Sequence, residues 1–499
     1  MTTEREVKLA PAPGFRLPDL SGVAEGVSAV TAETLRLQAT YFDTSDLRLA
    51  RSGASLRYRN DEGWLVKLPA PGDGNGSLLS RDEHRFDGAP GTPPASALDL
   101  VLGLVRTAPV EPVSNIRTLR RRVELHDAEG EALAEVVDDE VSVLDGGRVA
   151  ARFRELEVEL RERAGSDLAG AVVGRLRDAG AAEEEAPTPK VVRALGPRAL
   201  DPPDVRPPPR LAKTGPAGDV LRAAVAASVA RLVAHDPVVR LGEDPEGVHQ
   251  ARVATRRLRS DLRTFRELLD TEWNDSMRDE LKWLATALGA VRDADVLLAR
   301  LQAKVDRLPE ADREPATGML RRLDRDRDEK RGALLEVMRS RRYLELLDRL
   351  VNAAHQPMLL DEADAPAGDV APQLVRKPWE RVTSAVDELG DEPSDEALHE
   401  VRKRAKRARY AAEAVTRVAG KPAQRLAEAL EDVQDVLGEH QDAVVAERWL
   451  RDALPAASPR ETFVIGQLCA MERLDAESSR AAWGDTWKAA RKRRLRAWL

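Results

Sequence analysis

The sequence predicts an α+β chain of two domains, an antiparallel β domain followed by an all-α domain built by duplication. Three observations predict it. Before residue 196, short segments alternate apolar and charged residues with period two, as strands with two unlike faces do. Residues 196–216, GPRALDPPDVRPPPRLAKTGP, carry seven prolines that preclude continuous helix or interior strand, so this stretch is expected to be an extended, stiff linker. Beyond it the glycines thin out, long Ala/Leu/Arg/Glu stretches begin, and a motif near residue 249 returns 150 residues later. The expected division is therefore 1–195, a linker at 196–216, and 217–499 with repeats at about 217–355 and 370–499.

Composition sets the bounds. The chain has 499 residues, enough for two or three domains, and 42% hydrophobic content, enough to build cores. The single thiol, Cys469, has no internal partner, which fits a reducing cytosol. No apolar run approaches the roughly 18 residues that span a bilayer, and the acidic start Met1-Thr-Thr-Glu-Arg-Glu is no signal peptide, so a cytoplasmic protein with no membrane partner is expected. Net charge is −8, from 78 basic and 86 acidic residues. Residues 1–195 hold 25 basic and 33 acidic side chains, so all the net acidity lies there and 196–499 is neutral.

In the first domain, Glu4, Glu6 and Lys8 share one strand face opposite Val7 and Leu9. Arg57 and Arg59 share a face opposite Leu56 and Tyr58, and a strand over 64–68 carries Lys67. Arg120, Arg122 and Glu124 oppose Arg121, Val123 and Leu125, and Glu155, Glu157 and Glu159 oppose Leu156, Val158 and Leu160. A solvated face is the plain account of any one strand. Taken together, whole faces of like charge repel unless something neutralises them. Carboxylates converging on a divalent cation, beside Arg and Lys converging on phosphates, would do so. Alternation puts Glu135 and Asp139 on one face, although a bulge would substitute Asp138. The stretch Gly72-Asp-Gly-Asn-Gly76 reads as a hairpin connection, since no helix pattern follows it, and no Walker-type phosphate loop is present.

Glu4-x-Glu6-x-Lys8 near the N-terminus resembles the ExExK signature of the CYTH, or triphosphate tunnel metalloenzyme, superfamily. The resemblance runs on through Tyr41-Phe42-Asp43-Thr44, Leu56 to Arg59, Trp64 to Leu68, Glu155 to Glu159 and Lys190-Val-Val-Arg193. It implies a closed antiparallel eight-stranded tunnel with outer helices, and hydrolysis of a triphosphate or cyclisation of ATP. It further implies Mg2+ or Mn2+ held by Glu4, Glu6, Glu155 and Glu157, with Glu159 and Asp138 or Asp139 in support. Phosphate oxygens would meet Arg57, Arg59, Lys67, Arg120, Arg122, Lys190 and Arg193, with Lys8, Glu6 and Lys67 at the reacting phosphoryl group and Glu83 a further candidate.

The second domain reads as helix. His249, Arg252, Arg256, Arg259 and Arg263 are spaced 3, 4, 3, 4 and form one stripe, repeated by His399, Arg402, Lys406 and Arg409. Arg257, Lys403 and Arg407 widen it. A solvated charged face would carry acids at i±4, whereas the i+3 and i+4 neighbours here are more arginines, so an anionic ligand is expected. Leu288-Gly289…Asp293 and Leu437-Gly438…Asp442 repeat as well. Asp293, Asp295 and Asp442 would pair with arginines or cap helices, and Trp273, Trp283, Trp379 and Tyr410 would pack in the core or at the stripe edge. The doubled HxxR and LGxxxD motifs closely resemble the CHAD domain, which implies two four-helix halves around a basic pore that binds inorganic polyphosphate. Gln441 in place of Arg292 and Val444 in place of Asp295 make the two halves unequal.

The expected function is a polyphosphate-binding protein whose tunnel domain is a metal-dependent triphosphatase acting on tripolyphosphate or polyphosphate. The alternative is a non-enzymatic polyphosphate-binding or granule-targeting protein, with adenylate cyclase or thiamine triphosphatase behind it. Nucleic acid is disfavoured by the negative total charge and by the lack of interleaved aromatics for stacking.

Overall fold

The computed structural model describes residues 2–69, 79–161, 164, 166–183, 188–205 and 211–499, with backbone alone at 2–6, 79–81, 166 and 183. The chain divides into two units, Met1–Asp204 and Val205–Leu499.

The first unit contains β1 (Thr2–Pro11), β2 (Ser28–Thr31), β3 (Leu35–Asp43), α1 (Arg48–Arg51), β4 (Ser55–Arg59), β5 (Gly63–Pro69) and β6 (Leu79–Phe86). It continues with α2 (Ala95–Val105), β7 (Glu111–His126), β8 (Ala132–Asp145), β9 (Arg148–Leu160), α3 (Ser166–Asp178), β10 (Ala181–Glu183) and α4 (Lys190–Leu195). The strands form one sheet in the order β10-β1-β6-β5-β4-β3-β7-β8-β9, with β2 on β7. β9 also pairs with β1, Arg5 opposite Leu160 through Leu9 opposite Leu156, so a path of eight strands returns to its first member. The sheet holds ten described strands rather than the expected eight, because the short β2 and β10 are additions to that path. The glycine-rich stretch 72–76 lies outside the described residues, between the antiparallel pair β5 and β6.

Alternation explains which face is which. Leu156, Val158, Val123, Leu125 and Val136 pack with Leu168, Val172 and Leu176 of α3, so the apolar face is the outer one and is covered by helix. The charged face is left to line the interior. A second cluster packs Val191 and Val192 of α4 against Ile116, Val141 and Tyr41, which seats α4 beside β3, β7 and β8.

The proline-rich stretch is not extended throughout. Pro197–Leu200 form a 3-10 turn with Ala199 buried, and Pro202 O accepts from Arg51. Asp204 pairs with Arg51 at 2.9 Å and with Arg106. The folded first unit thus runs beyond residue 195. On the far side, Lys213 O and Gly215 O accept from Gly368 N and Ala367 N, which ties that end into the second unit.

The second unit holds α5 (Ala217–Leu241), α6 (Pro245–Thr264), α7 (Thr271–Val305), α8 (Glu310–Arg339), α9 (Arg341–His355), α10 (Ala367–Asp387), α11 (Asp395–Ala419), α12 (Lys421–Ala453), α13 (Pro459–Ala490) and α14 (Arg493–Arg496). The helices α5 to α8 begin at 217, 245, 271 and 310, and α10 to α13 at 367, 395, 421 and 459, so the duplication holds helix by helix at offsets of 150, 150, 150 and 149. Caps fix several starts. Asp244, Asp270, Ser394 and Ser458 each accept a backbone N–H of the first turn, and Ser458 with Glu461 completes a capping box. One core joins the halves, with Leu258, Leu262, Leu281 and Leu284 of the first and Leu398, Val401, Leu426 and Leu430 of the second. No helix among the described residues is long and apolar enough to cross a membrane.

Candidate metal and polyanion sites

Strand register builds the first site. Lys8 lies directly across the ladder from Glu157, Arg120 from Asp139, Asp139 from Glu155, and Lys67 from Glu83. Oxygen atoms of Asp139, Glu155 and Glu157 fall within 4.8 Å of one another, and all three residues are buried. Cations surround them. Lys190 Nζ lies 2.6 Å from Asp139, 3.0 Å from Glu155 and 3.8 Å from Glu157. Arg120 donates to both oxygens of Asp139 at 2.9 and 2.7 Å, Lys8 pairs with Glu157, and Arg193 is 3.4 Å from Glu155. Arg193 also stacks over Phe153 at 4.5 Å.

The electrostatics follow from burial set against these cations. Burial raises the Glu157 pKa, but Lys190, Lys8 and Arg120 outweigh it and hold the carboxyl well below its usual range. Burial likewise opposes Lys190 and Arg120 at Asp139, whose pKa is lowered. At Glu155 burial wins over Lys190 and Lys8, and the pKa rises. Glu155 Oε1 is buried, and Lys190 Nζ at 3.0 Å is its nearest cation.

The adjoining cavity, about 320 Å³, is lined by Lys8, Arg57, Arg59, Lys67, Arg120, Arg122, Lys190, Glu83, Glu135, Glu157 and Glu159. Of the residues expected at the tunnel, Arg57, Arg59, Lys67, Arg120, Arg122, Lys190, Lys8, Glu157 and Glu159 meet at this cavity, while Glu155, Asp139 and Arg193 join through the ion pairs. Asp138 does not: regular register turns it to the outer face, where Arg154 grips it through two hydrogen bonds of 2.7 Å. That corrects the expectation that Asp138 could serve the metal. The backbone of Glu6 pairs with that of Glu159, but the side chains of Glu4 and Glu6 lie outside the described residues.

Two contributors were not legible beforehand. The Tyr41 hydroxyl sits 3.3 Å from Arg57 in the cavity wall, and burial of its phenol is outweighed by Arg57, Lys190 and Lys67, so its pKa is lowered. Glu62 bridges Arg57 and Arg59, 2.7 Å from each. The register Arg57 opposite Tyr41 was the available signal for the first. Asp43, by contrast, is structural, accepting the N–H groups of Thr44, Leu49 and Ala50.

In the second unit the two stripes meet. Arg256 and Arg257 of α6 and Arg409 of α11 gather over the Tyr410 ring at 5.4, 5.7 and 5.2 Å. Lys406 lies among Arg256, Arg402, Arg252 and Arg409, and burial together with these charges pushes its pKa down to about 6. His249 and His399 are lowered too, chiefly by burial, with Arg292 and Lys403 the leading charges. The Nε atoms of Arg256, Arg257 and Arg402, Nδ1 of His399 and the hydroxyl of Tyr410 are buried without hydrogen-bond partners. Each such orphan carries a desolvation cost that a ligand would remove.

The stripes are not wholly without acids. Arg252 meets Asp293 at 3.0 Å, Arg257 meets Glu413 at 2.6 Å, Arg409 meets Glu413 and Glu431, and Lys403 meets Glu400. Most of these partners come from other helices, which spacing along one helix cannot show. Arg256, Arg259, Arg263, Arg402, Lys406 and Arg407 form no salt bridge among the described residues. The LG motif has a steric role. A Cβ on Gly289 would stand 3.7 Å from Arg252, and one on Gly438 3.1 Å from Arg402, so each arginine lies across a glycine.

A charged-lined antiparallel ring joined to duplicated helices with facing basic stripes defines a tunnel domain followed by a histidine-led helical domain. A CYTH domain matches residues 2–178 and a CHAD domain residues 223–451. An uncharacterized protein of Mycobacterium tuberculosis strain CDC 1551 is 35% identical over 512 residues, covering 96% of this chain and 95% of its own length, and strain H37Rv has a counterpart with the same figures. The chain belongs to the family in which a CYTH domain precedes a CHAD domain. Similar solved structures include PptA from Streptomyces chartreusis (27% identity, TM-score 0.46, 55% of this chain and 99% of that one). The CHAD domain from the plant Ricinus communis is another (27% identity, TM-score 0.45, 56% and 94%). The two domains support a role concerned with triphosphate or polyphosphate, and the acidic cluster could hold a metal ion.

Proposed function

We propose that the chain is a polyphosphate-binding protein whose tunnel domain hydrolyses tripolyphosphate, or the terminal phosphate of polyphosphate, with Mg2+ or Mn2+. The observation that carries this is the convergence of Asp139, Glu155 and Glu157 within 4.8 Å, beside a cavity lined by Arg57, Arg59, Lys67 and Arg122.

The residues fit a hard divalent cation. The donors are all carboxylate oxygens, buried and within 4.8 Å of one another. Glu157, held ionised by Lys8, Lys190 and Arg120, is ready to ligate at any neutral pH. When bound, such an ion supplies Lewis-acid charge and an acidified water. The protein's part is positional and electrostatic: Arg57, Arg59, Lys67 and Arg122 hold phosphate oxygens, and Lys8, Arg120 and Lys190 stabilise charge developing on the leaving phosphate. In the helical domain, Arg256, Arg402 and Lys406 hold a longer chain, and the same cluster would tether the protein to polyphosphate granules.

Phosphate release from tripolyphosphate, with and without Mg2+ or Mn2+, tests the enzyme. Metal-dependent release that Glu157→Gln abolishes is expected. Absence of release from the intact chain, with long-chain polyphosphate still bound, would leave a binding protein and overturn the enzyme.

A further inference from the structure

The duplication lets each side chain of one half be compared with its twin in the other. Burial in α6 and α11 matches at an offset of 150: Val248 and Leu398, Ala251 and Val401, Leu258 and Ala408 are all buried. In α7 and α12 it matches at 149: Met277 and Leu426, Leu281 and Leu430, Leu284 and Val433. By these offsets Arg256 is the twin of Lys406, and the two lie close together, so the pseudo-axis passes between them.

The surroundings of that axis are not alike. On one side Arg257 is paired with Glu413 at 2.6 Å, and Arg409 is paired with both Glu413 and Glu431. The twins of Arg257 and Arg409 are Arg407 and Arg259. The twins of the two acids are Arg263, for Glu413, and Lys282, for Glu431. Both neutralising residues are therefore replaced by bases. The ion pair Arg257–Glu413 has as its counterpart a repulsive pair, Arg407 beside Arg263, with Arg278, Arg381 and Arg259 close enough to depress Arg263 further after burial. Arg263, Arg407 and Arg381 are exposed and form no salt bridge among the described residues. Unpaired guanidinium groups gathered this way repel one another until an anion joins them.

We propose that the basic site is one-ended: a linear polyanion seated at Arg256 and Lys406 leaves over the Arg263–Arg407 side, and Glu413 with Glu431 closes the other. A site open on both sides would accept the middle of a chain. This one accepts its end, because a chain passing through would bring its phosphates against two carboxylates and two already neutralised arginines. This rests on the polyphosphate-binding function proposed above. It names the ligand class of the helical domain as the terminal stretch of a linear chain.

The test is stoichiometry against chain length. The full-length protein is titrated in EDTA with linear polyphosphates of graded length, and proteins bound per chain are read by calorimetry and by sedimentation. A one-ended site saturates at two proteins per chain however long the chain. Binding that rises in proportion to length overturns the proposal and leaves polyphosphate binding intact. Glu413→Arg with Glu431→Lys, which copies the twin residues, should convert the saturating pattern to the proportional one. Glu413→Gln with Glu431→Gln, a milder change that keeps the packing, should move in the same direction. Arg263→Glu, at an exposed position, should weaken long-chain binding about tenfold or more, through charge reversal on the open side. If Arg263→Glu and the Glu413/Glu431 variants all leave stoichiometry and affinity unchanged, the sidedness is wrong. If the intact chain binds no polyphosphate, or if Arg256→Ala with Arg402→Ala binds as well as the intact chain, the function proposed for the helical domain falls with it.

Discussion

The interior of the tunnel domain and the axis of the helical domain are both crowded with arginine and lysine, yet they are balanced in opposite ways. In the tunnel, cations face carboxylates across the ladder: Lys8 with Glu157, Arg120 with Asp139, Lys67 with Glu83. At the helical axis Arg256, Arg402 and Lys406 face one another. A ligand that enters the first must bring charge of both signs, or it breaks ion pairs without replacing them. A metal–triphosphate complex does so, with its cation going to the carboxylates and its phosphates to the bases. A ligand for the second need bring only negative charge. On the function proposed above, the difference would make the first metal-dependent and the second metal-independent.

The comparison breaks most readily at Glu157. Glu157→Gln should lower metal-dependent phosphate release by about 100-fold, measured colorimetrically, while long-chain polyphosphate binding stays unchanged. The reciprocal variant, Arg256→Ala with Arg402→Ala, should weaken long-chain binding by about 100-fold, each lost charge-assisted contact being worth roughly 1.5–3 kcal/mol. Its kcat/KM on tripolyphosphate should stay within about twofold of the intact chain, as expected for sites with no shared partners. If both activities fell together in either variant, the division of labour would be wrong. Salt gives a smaller contrast. The affinity of the unbalanced helical site should drop steeply from 50 to 200 mM salt, by the counterion release that governs polyanion binding. The KM of the balanced tunnel should change far less.

Protons sharpen the comparison further. Lys406, pushed down to about 6 by burial and four arginines, is mostly neutral at pH 7.5 in the free protein. A bound polyanion raises its pKa, so binding at pH 7.5 takes up a proton and affinity falls as pH rises above about 6. Calorimetry in two buffers of different ionisation enthalpy reads the uptake, and Lys406→Arg should reduce it by close to one proton per site. The smallest effect is one of stability. Asp261 is buried, and burial carries its pKa up to about 8 against the charge of Arg257. The unfolded value is about 3.9, so the folded state holds the extra proton between the two and loses stability as pH rises through that window. Asp261→Asn should therefore raise the melting temperature at pH 8.5 and leave it unchanged at pH 4.

Much of this was legible in the sequence, for identifiable reasons. Period-two alternation separated Glu155, Glu157 and Glu159 from Leu156 and Val158, and it put Asp139 with Glu135; the choice against Asp138 came from the structure, whose ladder has no bulge there. Alternation does not say which face is inside. That is decided by α3, whose Leu168, Val172 and Leu176 cover the apolar side. The helical repeat was visible because its motifs carry charge. Asp293 and Glu431, which neutralise part of it, were not, because they sit on neighbouring helices; Glu413, four residues after Arg409 on α11 itself, was readable and was passed over. Tyr41 and Glu62 were missed for the same reason, since their partners lie across a strand or around a turn. The linker was misjudged because proline count reports what a segment cannot form and is silent on what Arg51 and Arg106 can hold.

A Cβ on Gly289 would stand 3.7 Å from the nearest Arg252 atom, and one on Gly438 3.1 Å from the nearest Arg402 atom. Mid-helix glycine costs about 1 kcal/mol relative to alanine, so each is a small concession of helix stability. Each leaves space for the guanidinium that lies across it. Arg252 meets Asp293 at 3.0 Å, whereas Arg402 forms no salt bridge among the described residues. Twin residues of identical chemistry thus start from different positions: an incoming anion must draw one away from an acid and finds the other already without one.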